Sequence, residues 1–503
     1  MSNSLQIHKM KKKIIIFILC LVSAGVSAQT LYSSYFLERM PYRHRLNPAL
    51  INDYGYFSFP GLGNLDIQIN GNMALSHFLY PSGDELLTGF HPSISSNEFI
   101  GSLKNRNNLS LNIDETILSF GFFAFNGFNT FDLSVKSSTD IFLPKDLFAF
   151  LKNGQTGEVT QYEMKDIRAK SNNYVELALG HAHRINDRLT IGAKLKALIG
   201  AGNLDARIDR MTMTLSDERW MIQSKGIADL SLAGVTLETD SNGEIDGFDF
   251  DTGKLGIAGI GGAIDLGATY KIFDNLTVSM ALTDIGFIRW NKNKKAETPE
   301  GEFVFDGFKH LGAEDDDNGN NAFDDETDKI GDDLEALFKF KETRASSRST
   351  WLKTTMNIGA EYGILNNKIS FGLLSSTRFS TPKTWTKLMA TANFRPAKWF
   401  MAALNGAVSN TGCTWGALIN LCPRGFNLFL GADYIAAKYT PQYVPVNTTN
   451  MSFSFGINFP LGTDPKLKNK KMVVSRQPIF VNLKSNTMKK HIANIIAENV
   501  FYK

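Results

Sequence analysis

The sequence NMSFSFGINFP at residues 450–460 decides the fold. Its large apolar residues share one parity, and its small or polar residues share the other. The first set is Met451, Phe453, Phe455, Ile457 and Phe459, and the second is Ser452, Ser454, Gly456 and Asn458. Because successive side chains of a β-strand point to opposite faces, the stretch predicts a strand with one apolar and one polar face. A strand of a soluble sandwich can look the same, so this segment alone does not establish a membrane protein.

The same alternation recurs along most of the chain and predicts about 14 strands. The predicted strands are residues 62–75, 113–126, 128–141, 172–184, 188–201, 255–271, 276–290, 351–364, 368–379, 384–395, 399–409, 414–421, 426–437 and 449–460. An even number of strands is what bacterial outer-membrane barrels require. Residues 204–215 and 220–232 also alternate, which indicates strands that continue beyond the membrane or form an outer hairpin.

Connection lengths favour a barrel over a sandwich. Every second connection is short, at 126–127, 186–187, 273–275, 366–367, 395–398 and 422–425. The connections between them include long ones at 76–112, 142–171, 202–254 and 291–350. Short periplasmic turns that alternate with long outer loops are typical of outer-membrane barrels. We therefore predict an all-β fold, a transmembrane antiparallel β-barrel of about 14 strands over residues 62–460 with long extracellular loops.

The N-terminus has the features of a secretory signal. Basic residues at 11–13 precede an apolar run at 14–22, and small residues at 26–28 suit a cleavage site. We expect a signal peptide at residues 1–28 and a mature chain in the outer membrane of a Gram-negative bacterium. The mean hydropathy of −0.14 is too low for an α-helical membrane protein, whereas a barrel averages a lipid face with a polar lumen.

Aromatic residues and cysteines give further expectations. Aromatic side chains near predicted strand ends suit the interfacial girdles of a barrel: Trp290, Trp351, Tyr362, Trp385, Trp399, Trp415 and Tyr434. Beyond the signal peptide the chain has two cysteines, Cys413 and Cys422, near opposite ends of one predicted strand. At about 3.3 Å per residue they lie beyond disulfide reach, so we predict two free thiols.

The segments on either side of the predicted barrel differ in composition. Residues 29–61 are rich in aromatic side chains, which disordered arms lack: Tyr32, Tyr35, Phe36, Tyr42, Tyr54, Tyr56, Phe57 and Phe59. Fourteen strands leave a lumen that needs filling, so we predict that this segment is a plug, with a periplasmic cap as the alternative. Residues 461–503 are basic and are predicted to form a periplasmic tail.

Charged residues also fall on the inward parity of the predicted strands. They are Asp66, Glu115, Asp132, Lys136, Glu176, Lys194, Lys196, Asp265, Glu361, Arg378, Lys387 and Asp433. Both signs are present in similar numbers, and opposed charges inside a small barrel usually pair. We expect a structural ion network that fills the lumen, and a polar permeation path is the alternative.

The stretch EDDDNGNNAFDDE at residues 314–326 is the sharpest local motif. When Gly319 is aligned with the loop glycine of an EF-hand, the oxygen-ligand positions are Glu314, Asp316, Asn318 and Asp325. A hard cation prefers such oxygens on a sharply turning loop, so Ca²⁺ is the candidate cofactor. Glu replaces the usual Asp at the first position and Asp the usual Glu at the last, so a solvated acidic loop is the alternative.

Three motifs resemble a family of Bacteroidota outer-membrane barrel proteins of unknown function. They are RHRLNPA at residues 43–49, PGLGN at residues 60–64 and the late MSFSFGINFPLG. The resemblance implies a barrel in the broad style of the FadL-type hydrophobic-compound transporters, with a plugged lumen. It implies no established substrate and no catalytic residues. No G-x-S-x-G, H-E-x-x-H or P-loop motif is present, and we predict that the protein is not an enzyme.

Two functions remain open at this point. The first is an outer-membrane barrel that binds or transports a small hydrophobic compound. The second is a surface scaffold or secretion-associated barrel whose long outer loops bind protein partners. Expected partners are outer-membrane lipid, the barrel assembly machinery and, for a transporter, a hydrophobic small molecule. Nothing indicates nucleic acid, and the net charge of +3 does not discriminate between partners.

Overall fold

The strands form a closed antiparallel barrel of 14 wall strands, which confirms the predicted fold class. A computed structural model describes residues 32–83, 85–154, 159–216, 219–241, 243–254, 256–298, 301–305, 340–381, 383–410, 412–435 and 451–463. Within these ranges, no helix is both long enough and apolar enough to cross a membrane. The predicted signal peptide and residues 464–503 of the predicted tail lie outside the described residues, whereas residues 461–463 belong to the last strand.

The strands in chain order are β1 (Tyr54–Ser58), β2 (Asn64–Gly71), β3 (Leu79–Ser82), β4 (Glu85–Thr88), β5 (Arg106–Ala124), β6 (Gly127–Pro144), β7 (Thr160–Glu163), β8 (Ile167–Arg184), β9 (Leu189–Leu215), β10 (Trp220–Leu232), β11 (Val235–Thr239), β12 (Ile245–Phe250), β13 (Gly259–Phe273), β14 (Leu276–Trp290), β15 (Asn293–Glu297), β16 (Gly301–Phe305), β17 (Lys341–Thr343), β18 (Arg348–Trp351), β19 (Thr355–Ile364), β20 (Ile369–Arg378), β21 (Trp385–Ala397), β22 (Phe400–Ser409), β23 (Gly412–Leu421), β24 (Asn427–Ile435) and β25 (Met451–Thr463). The α-helices are α1 (Ser96–Ser102) and α2 (Lys145–Asn153), and short 3-10 helices span Tyr32–Ser34, Pro41–Arg45, Leu75–His77 and Thr252–Lys254.

The wall closes on itself without a free edge. Its first strand consists of β1 and β2 in succession, and β5, β6, β8, β9, β13, β14 and β19–β25 follow in order. The ring closes because Leu65 of β2 is opposite Glu115 on one side and Phe455 of β25 on the other. Each predicted strand overlaps one of these wall strands, and the NMSFSFGINFP stretch lies in β25.

The long strand β9 runs beyond the wall on the side of the long loops. Its outer half pairs with β10, from Gly202 opposite Leu232 to Leu215 opposite Trp220. The prediction of an outer hairpin is therefore confirmed, and the wall count stays at 14. Strands β7, β15 and β16 extend this outer sheet, because β7 pairs with β9 and the other two pair with β10.

Apolar side chains cover the outside of the wall. Leu195 is 67% exposed and Ile260 is 61% exposed, and similar residues follow every wall strand at alternate positions. A continuous apolar surface of this size does not suit a soluble monomer and does suit the lipid-facing band of an outer-membrane barrel. The end with the short turns is accordingly the periplasmic end.

The girdle prediction is correct for some residues and wrong for two. Trp351, Tyr362, Trp399 and Trp415 are exposed on the outer surface. Trp290, however, is buried inside and donates a hydrogen bond from Nε1 to Thr350 Oγ1 over 2.8 Å. A bulge at Asp284, which has a φ of 60°, shifts the parity of β14, so that residues after it face the opposite side. Trp385 shares the inward parity of Lys387 on β21.

Cys413 is exposed, Cys422 is buried, and neither forms a disulfide, as predicted. A maleimide reagent should label one thiol of the folded mature protein quickly and the second only after unfolding, because the barrel wall shields Cys422. Mass spectrometry of the labelled protein measures this. Labelling of neither thiol without a reductant would contradict the assignment.

Candidate functional site: the occupied lumen

Residues 32–53, hereafter the plug, fill the lumen. Residues 54–58, which were predicted as part of the plug segment 29–61, instead form β1 of the wall. Tyr32, Tyr35 and His44 are each 1% exposed. Contacts of the plug as a whole reach wall strands all around the barrel, including β5, β9, β14, β19, β20 and β22. A segment that contacts so many wall strands at once lies inside the barrel. The plug holds two 3-10 helices and leads directly into β1.

Two inward-facing glycines let the plug backbone approach the wall. A Cβ atom added at Gly192 of β9 would lie 2.3 Å from the carbonyl carbon of Pro48. A Cβ atom at Gly267 of β13 would lie 2.1 Å from Asn47 Oδ1. Both distances are below any real contact, so only glycine permits this packing. The inward parity of these glycines is visible in the sequence, but their partners in the plug are not.

Amide side chains fix the backbone at the RHRLNPA motif. Asn47 donates from Nδ2 to the hydroxyl of Tyr35 over 3.2 Å and to the carbonyl of Met280 over 3.3 Å. Its Oδ1 accepts the backbone N–H of Ala49 over 2.9 Å. From the wall, Asn357 Nδ2 donates to the carbonyl of Leu46 over 2.8 Å. The motif is therefore held by directional bonds to the wall as well as by burial.

Arg45 connects the plug to the charged part of the wall. Its Nη2 donates to Asp114 Oδ1 over 2.6 Å, and its Nη1 donates to Thr116 Oγ1 over 2.8 Å. Asp114 also lies 3.5 Å from Lys136 Nζ. Both side chains of the Arg45–Asp114 pair are largely buried. Water cannot solvate either charge well, so the loss of one partner would cost much folding free energy.

The inward charges of β5–β14 pair with one another, as expected of a structural network. Lys194 Nζ lies 2.7 Å from Asp132, and Lys136 Nζ lies 3.0 Å from Glu176. Lys196 Nζ approaches two carboxylates, those of Asp265 at 2.8 Å and Asp284 at 2.6 Å. The two signs alternate in space, and the network does not form a filter of one sign.

One predicted inward charge was wrong, and three members of the network, Asp114, Asp284 and Arg45, were missed. A bulge at Ile117 shifts the parity of β5, so Asp114 faces the lumen and Glu115 faces outward. Asp284 sits at the second bulge, and Arg45 comes from the plug, where no strand periodicity could reveal it. The side chain of Asp433 lies outside the described residues.

His44 belongs to the plug and is not part of a membrane-spanning strand. Its Nε2 lies 2.7 Å from the hydroxyl of Tyr56, which lies 2.8 Å from Ser119 Oγ. Burial lowers the pKa of His44 well below its ordinary value, and the nearby ammonium of Lys194 lowers it further. The imidazole is therefore neutral in the folded protein.

The other side of the plug is apolar. Tyr32, Tyr35 and Phe36 pack with Leu374 and Met389 of the wall. A second cluster joins plug and wall residues near the periplasmic end: Leu37, Met40, Tyr42, Tyr54, Tyr56, Phe128, Met401, Ala403, Leu418, Cys422 and Phe429. The described inward side chains of β22–β25 are amides, hydroxyls and apolar groups without charge. The plug thus has Arg45 toward β5–β14 and most of its aromatic rings toward β20–β24. On this second side β21 still contributes two cations, because Lys387 Nζ lies 3.3 Å from the centroid of the Tyr32 ring and Arg395 pairs with Glu38 of the plug.

Polar bridges cross the outer mouth of the lumen. Lys353, next to β19, donates from Nζ to Ser138 Oγ on β6 over 2.7 Å. Arg378 of β20 donates from Nη1 to Gln68 Oε1 on β2 over 3.2 Å. Lys383 donates from Nζ to Asn108 Oδ1 on β5 over 2.9 Å. A polar cavity of about 120 Å³ lies below these bridges.

The larger concavities are elsewhere and are apolar. Grooves of about 450 and 560 Å³ lie between exposed aliphatic side chains such as Leu373 and Leu195 on the outside of the wall. They face lipid, so their size does not make them the functional site. The lumen is the candidate site because charged, hydrogen-bonding and aromatic groups converge there.

The first wall strand is interrupted at residues 59–62, hereafter the wall turn. Phe59 N–H donates to the carbonyl of Ile457, and Ile457 N–H donates to the carbonyl of Leu62, each over 2.9 Å. Gly61, with a φ of 70°, donates to the carbonyl of Ile117 over 2.9 Å. Phe59 and Leu62 are exposed on the lipid side. The turn therefore protrudes from the wall while its backbone stays bonded to both neighbouring strands.

The predicted calcium ligands Glu314, Asp316, Asn318 and Asp325 lie outside the described residues, and the Ca²⁺ site stays a prediction.

Comparison with known proteins identifies the family. The model of a family of unknown function, DUF5723, matches residues 48–433, which is more than half of the chain. The chain belongs to this family. No curated protein matches the chain.

Solved structures with a similar fold include three bacterial proteins. The toluene transporter TbuX of Ralstonia pickettii is 9% identical with a TM-score of 0.40, over 87% of this chain and 99% of that chain. The toluene transporter TodX of P. putida is 10% identical with a TM-score of 0.36, over 82% and 91%. A FadL homologue of Pseudomonas aeruginosa is 10% identical with a TM-score of 0.35, over 86% and 98%. These values establish no shared substrate.

Replacement of Arg45 tests the charged anchor of the plug. Arg45→Met should lower the free energy of unfolding by about 3–5 kcal/mol, because it leaves the buried Asp114 without its closest partner. The matched control is Arg106→Met, whose pair with Asp166 is exposed and should be worth about 0–1 kcal/mol. Urea unfolding of the two variants measures the difference. Equal effects would mean that Arg45 does not anchor the plug.

Acid should weaken the folded protein through His44. The pKa of His44 is depressed in the folded state, so the unfolded state takes up the proton first as the pH falls. Stability should drop by up to about 1.4 kcal/mol per pH unit below about pH 6.5. The variant His44→Gln, which can keep the bond to Tyr56, should show a shallower slope in urea unfolding between pH 7.5 and pH 5. An unchanged slope would contradict the assignment.

Proposed function

We propose that this protein is an outer-membrane channel for a small hydrophobic compound and that the plug is its gate. The observation that carries the proposal is the two-sided plug. One side is fixed to the charged wall through Arg45. The other packs aromatic rings against Leu374 and Met389, beside the uncharged inward faces of β22–β25. An uncharged compound can replace the apolar contacts on the second side, whereas it cannot replace the ion pairs on the first.

The plug is attached in a way that permits movement. It forms no strand pairing with the wall before β1, and its bonds to the wall come from side chains such as Asn357 and Asn47. Movement of Tyr32 and Phe36 away from Leu374 and Met389 would open a passage along β20–β22. A hydrophobic compound that takes their place restores apolar contacts of the same kind, so the free-energy cost of opening is partly offset.

The wall turn offers a route from this passage into lipid. It follows β1 and therefore continues directly from the plug. A Cβ atom at Gly63 would lie 2.9 Å from the Tyr42 hydroxyl, so the inner side of the turn rests against the plug. Its outer side exposes Phe59 and Leu62. We infer that displacement of the plug loosens the turn and lets an apolar compound leave sideways.

Gly267→Ala is designed to displace the plug. The added methyl group collides with Asn47, so the variant should show a severalfold higher ion conductance in planar bilayers and faster toluene uptake into proteoliposomes. Gly262→Ala on the same strand is the matched control, because Gly262 faces lipid and its Cβ atom would lie 3.5 Å from the nearest atom. Limited trypsin digestion at Arg43 and Arg45 reports whether the plug has moved.

The proposal fails if trypsin shows a displaced plug while conductance and uptake match those of Gly262→Ala. Gly192→Ala provides a second variant, because its methyl group meets the backbone of Pro48. It keeps the test available if Gly267→Ala does not fold.

A surface scaffold is the second candidate, and one observation favours it. The outer loops have hydrophobic clusters of their own, around Phe99 and Phe148 and around Met211 and Met213. Such clusters stabilise a defined outer surface, which a simple channel does not need. A partner that co-purifies with the protein and is lost on deletion of the β11–β12 hairpin, with no toluene uptake by any variant, would favour this function.

A further inference from the structure

The short turns at the periplasmic end share one unusual property. Each of the six carries an exposed large apolar side chain at or beside its tip: Phe125, Ile185, Phe273, Leu365, Trp399 and Phe426. We call these residues the rim ring. Turn tips normally carry Gly, Asn, Asp or Ser, so an apolar residue at every one is not explained by turn chemistry.

Two members of the rim ring occupy strained backbone positions. Phe125 has a φ of 54° and is 82% exposed, and Leu365 has a φ of 51° and is 66% exposed. Bulky residues rarely adopt this left-handed conformation, whereas Asn does so readily, as Asn126 and Asn366 do beside them. A strained residue persists where some other interaction over-determines it. The closed hairpins themselves hold the backbone at a positive φ, because Ala124 pairs with Gly127 and Ile364 pairs with Ile369. Packing within the protein therefore does not explain why a bulky, mostly exposed side chain occupies each position.

Exposed basic residues accompany the rim ring. Five of the six turns carry one within a few residues of the apolar tip: Arg188, Lys271, Lys368, Lys398 and Arg424. Exposed carboxylates are present at two of these turns, Asp187 and Asp274. The described hairpin between β22 and β23 at the opposite end has the polar residues Ser409 and Asn410 instead. The combination of apolar tips and positive charge recurs at five of the six turns of the periplasmic rim. At the opposite end, the connection between β20 and β21 also carries an exposed Phe379 and a half-buried Lys383.

We propose that the rim ring binds the interfacial layer of the inner leaflet, with the apolar tips among the lipid chains and the basic residues on anionic phospholipid head groups. The ring is continuous with the lipid-facing band, because Ile364 and Tyr362 extend from Leu365 along the outside of β19. Amphipathic interfaces favour this pairing of large apolar groups with Lys and Arg. The barrel therefore sits with its periplasmic turns immersed in the membrane interface.

The position of Trp399 tests immersion directly. The folded protein is reconstituted into phosphatidylcholine liposomes that contain lipids brominated near the head group, which quench tryptophan fluorescence on contact. The fluorescence of Trp399 is obtained as the difference between wild type and Trp399→Phe. Strong quenching of that difference signal is expected. An unquenched Trp399 in these membranes, which contain no other protein, would overturn the proposal and would favour a periplasmic protein as the occupant of the rim.

A pair of substitutions separates lipid contact from backbone strain. Phe125→Asn with Leu365→Asn relieves the left-handed strain, so the double variant should be more stable if the side chains contact nothing. Contact with lipid predicts the opposite, a lower urea midpoint in liposomes. Phe248→Asn, on the exposed β12 hairpin away from the rim, is the control and should leave the midpoint unchanged. A midpoint at or above wild type for the double variant would overturn the proposal.

Charge reversal tests the head-group preference. Wild type should have a higher urea midpoint in phosphatidylcholine with phosphatidylglycerol than in phosphatidylcholine alone. Lys368→Glu with Arg424→Glu should abolish that difference, and Lys254→Glu, exposed in an outer loop, should retain it. A phosphatidylglycerol effect that survives the rim substitutions, or is absent from wild type, would overturn the assignment of these basic residues.

Discussion

Hydrocarbon offers no hydrogen-bond partner to the backbone, so a sheet that crosses a membrane must close on itself. Here β2 meets both β5 and β25, and the closed wall leaves no unpaired edge. A wall of 14 strands encloses more space than its own side chains fill. The plug, the ion network and the bridges across the mouth are the structural consequences of that closure.

The division of the lumen into two parts links structure to function. On β5–β14 the charges pair with one another and with Arg45, which fixes the plug at one side. On β22–β25 the described inward side chains are uncharged, and the plug contacts them mainly through aromatic and aliphatic groups. A gate that is firmly held on one side and held by exchangeable apolar contacts on the other suits an uncharged cargo. The family has no established function, and the low similarity to the solved channels adds no argument about the cargo.

Side-chain alternation located all 14 wall strands, because lipid and lumen impose opposite demands on successive residues. It began the first of them at residue 62 and missed its β1 part at Tyr54–Ser58. It failed where the wall has an extra residue. The bulges at Ile117 and Asp284 shift the parity of β5 and β14. For this reason Glu115 and Trp290 were each predicted on the wrong face of the wall. A bulge depends on how a strand pairs with its neighbour, and this register cannot be read from the apolar–polar alternation of one strand alone. The RHRLNPA motif stood out in the sequence, but its contacts with Asp114, Gly192 and Gly267 depend on residues far away in the chain.

The central claim is that residues 32–53 are packed inside the barrel, and hydrogen–deuterium exchange of the full-length protein in lipid nanodiscs tests it most directly. Amides of the plug should exchange much more slowly than those of an exposed hairpin such as β11–β12, because they are buried and contact the wall. Complete exchange of the plug within seconds, while the wall strands stay protected, would contradict the account.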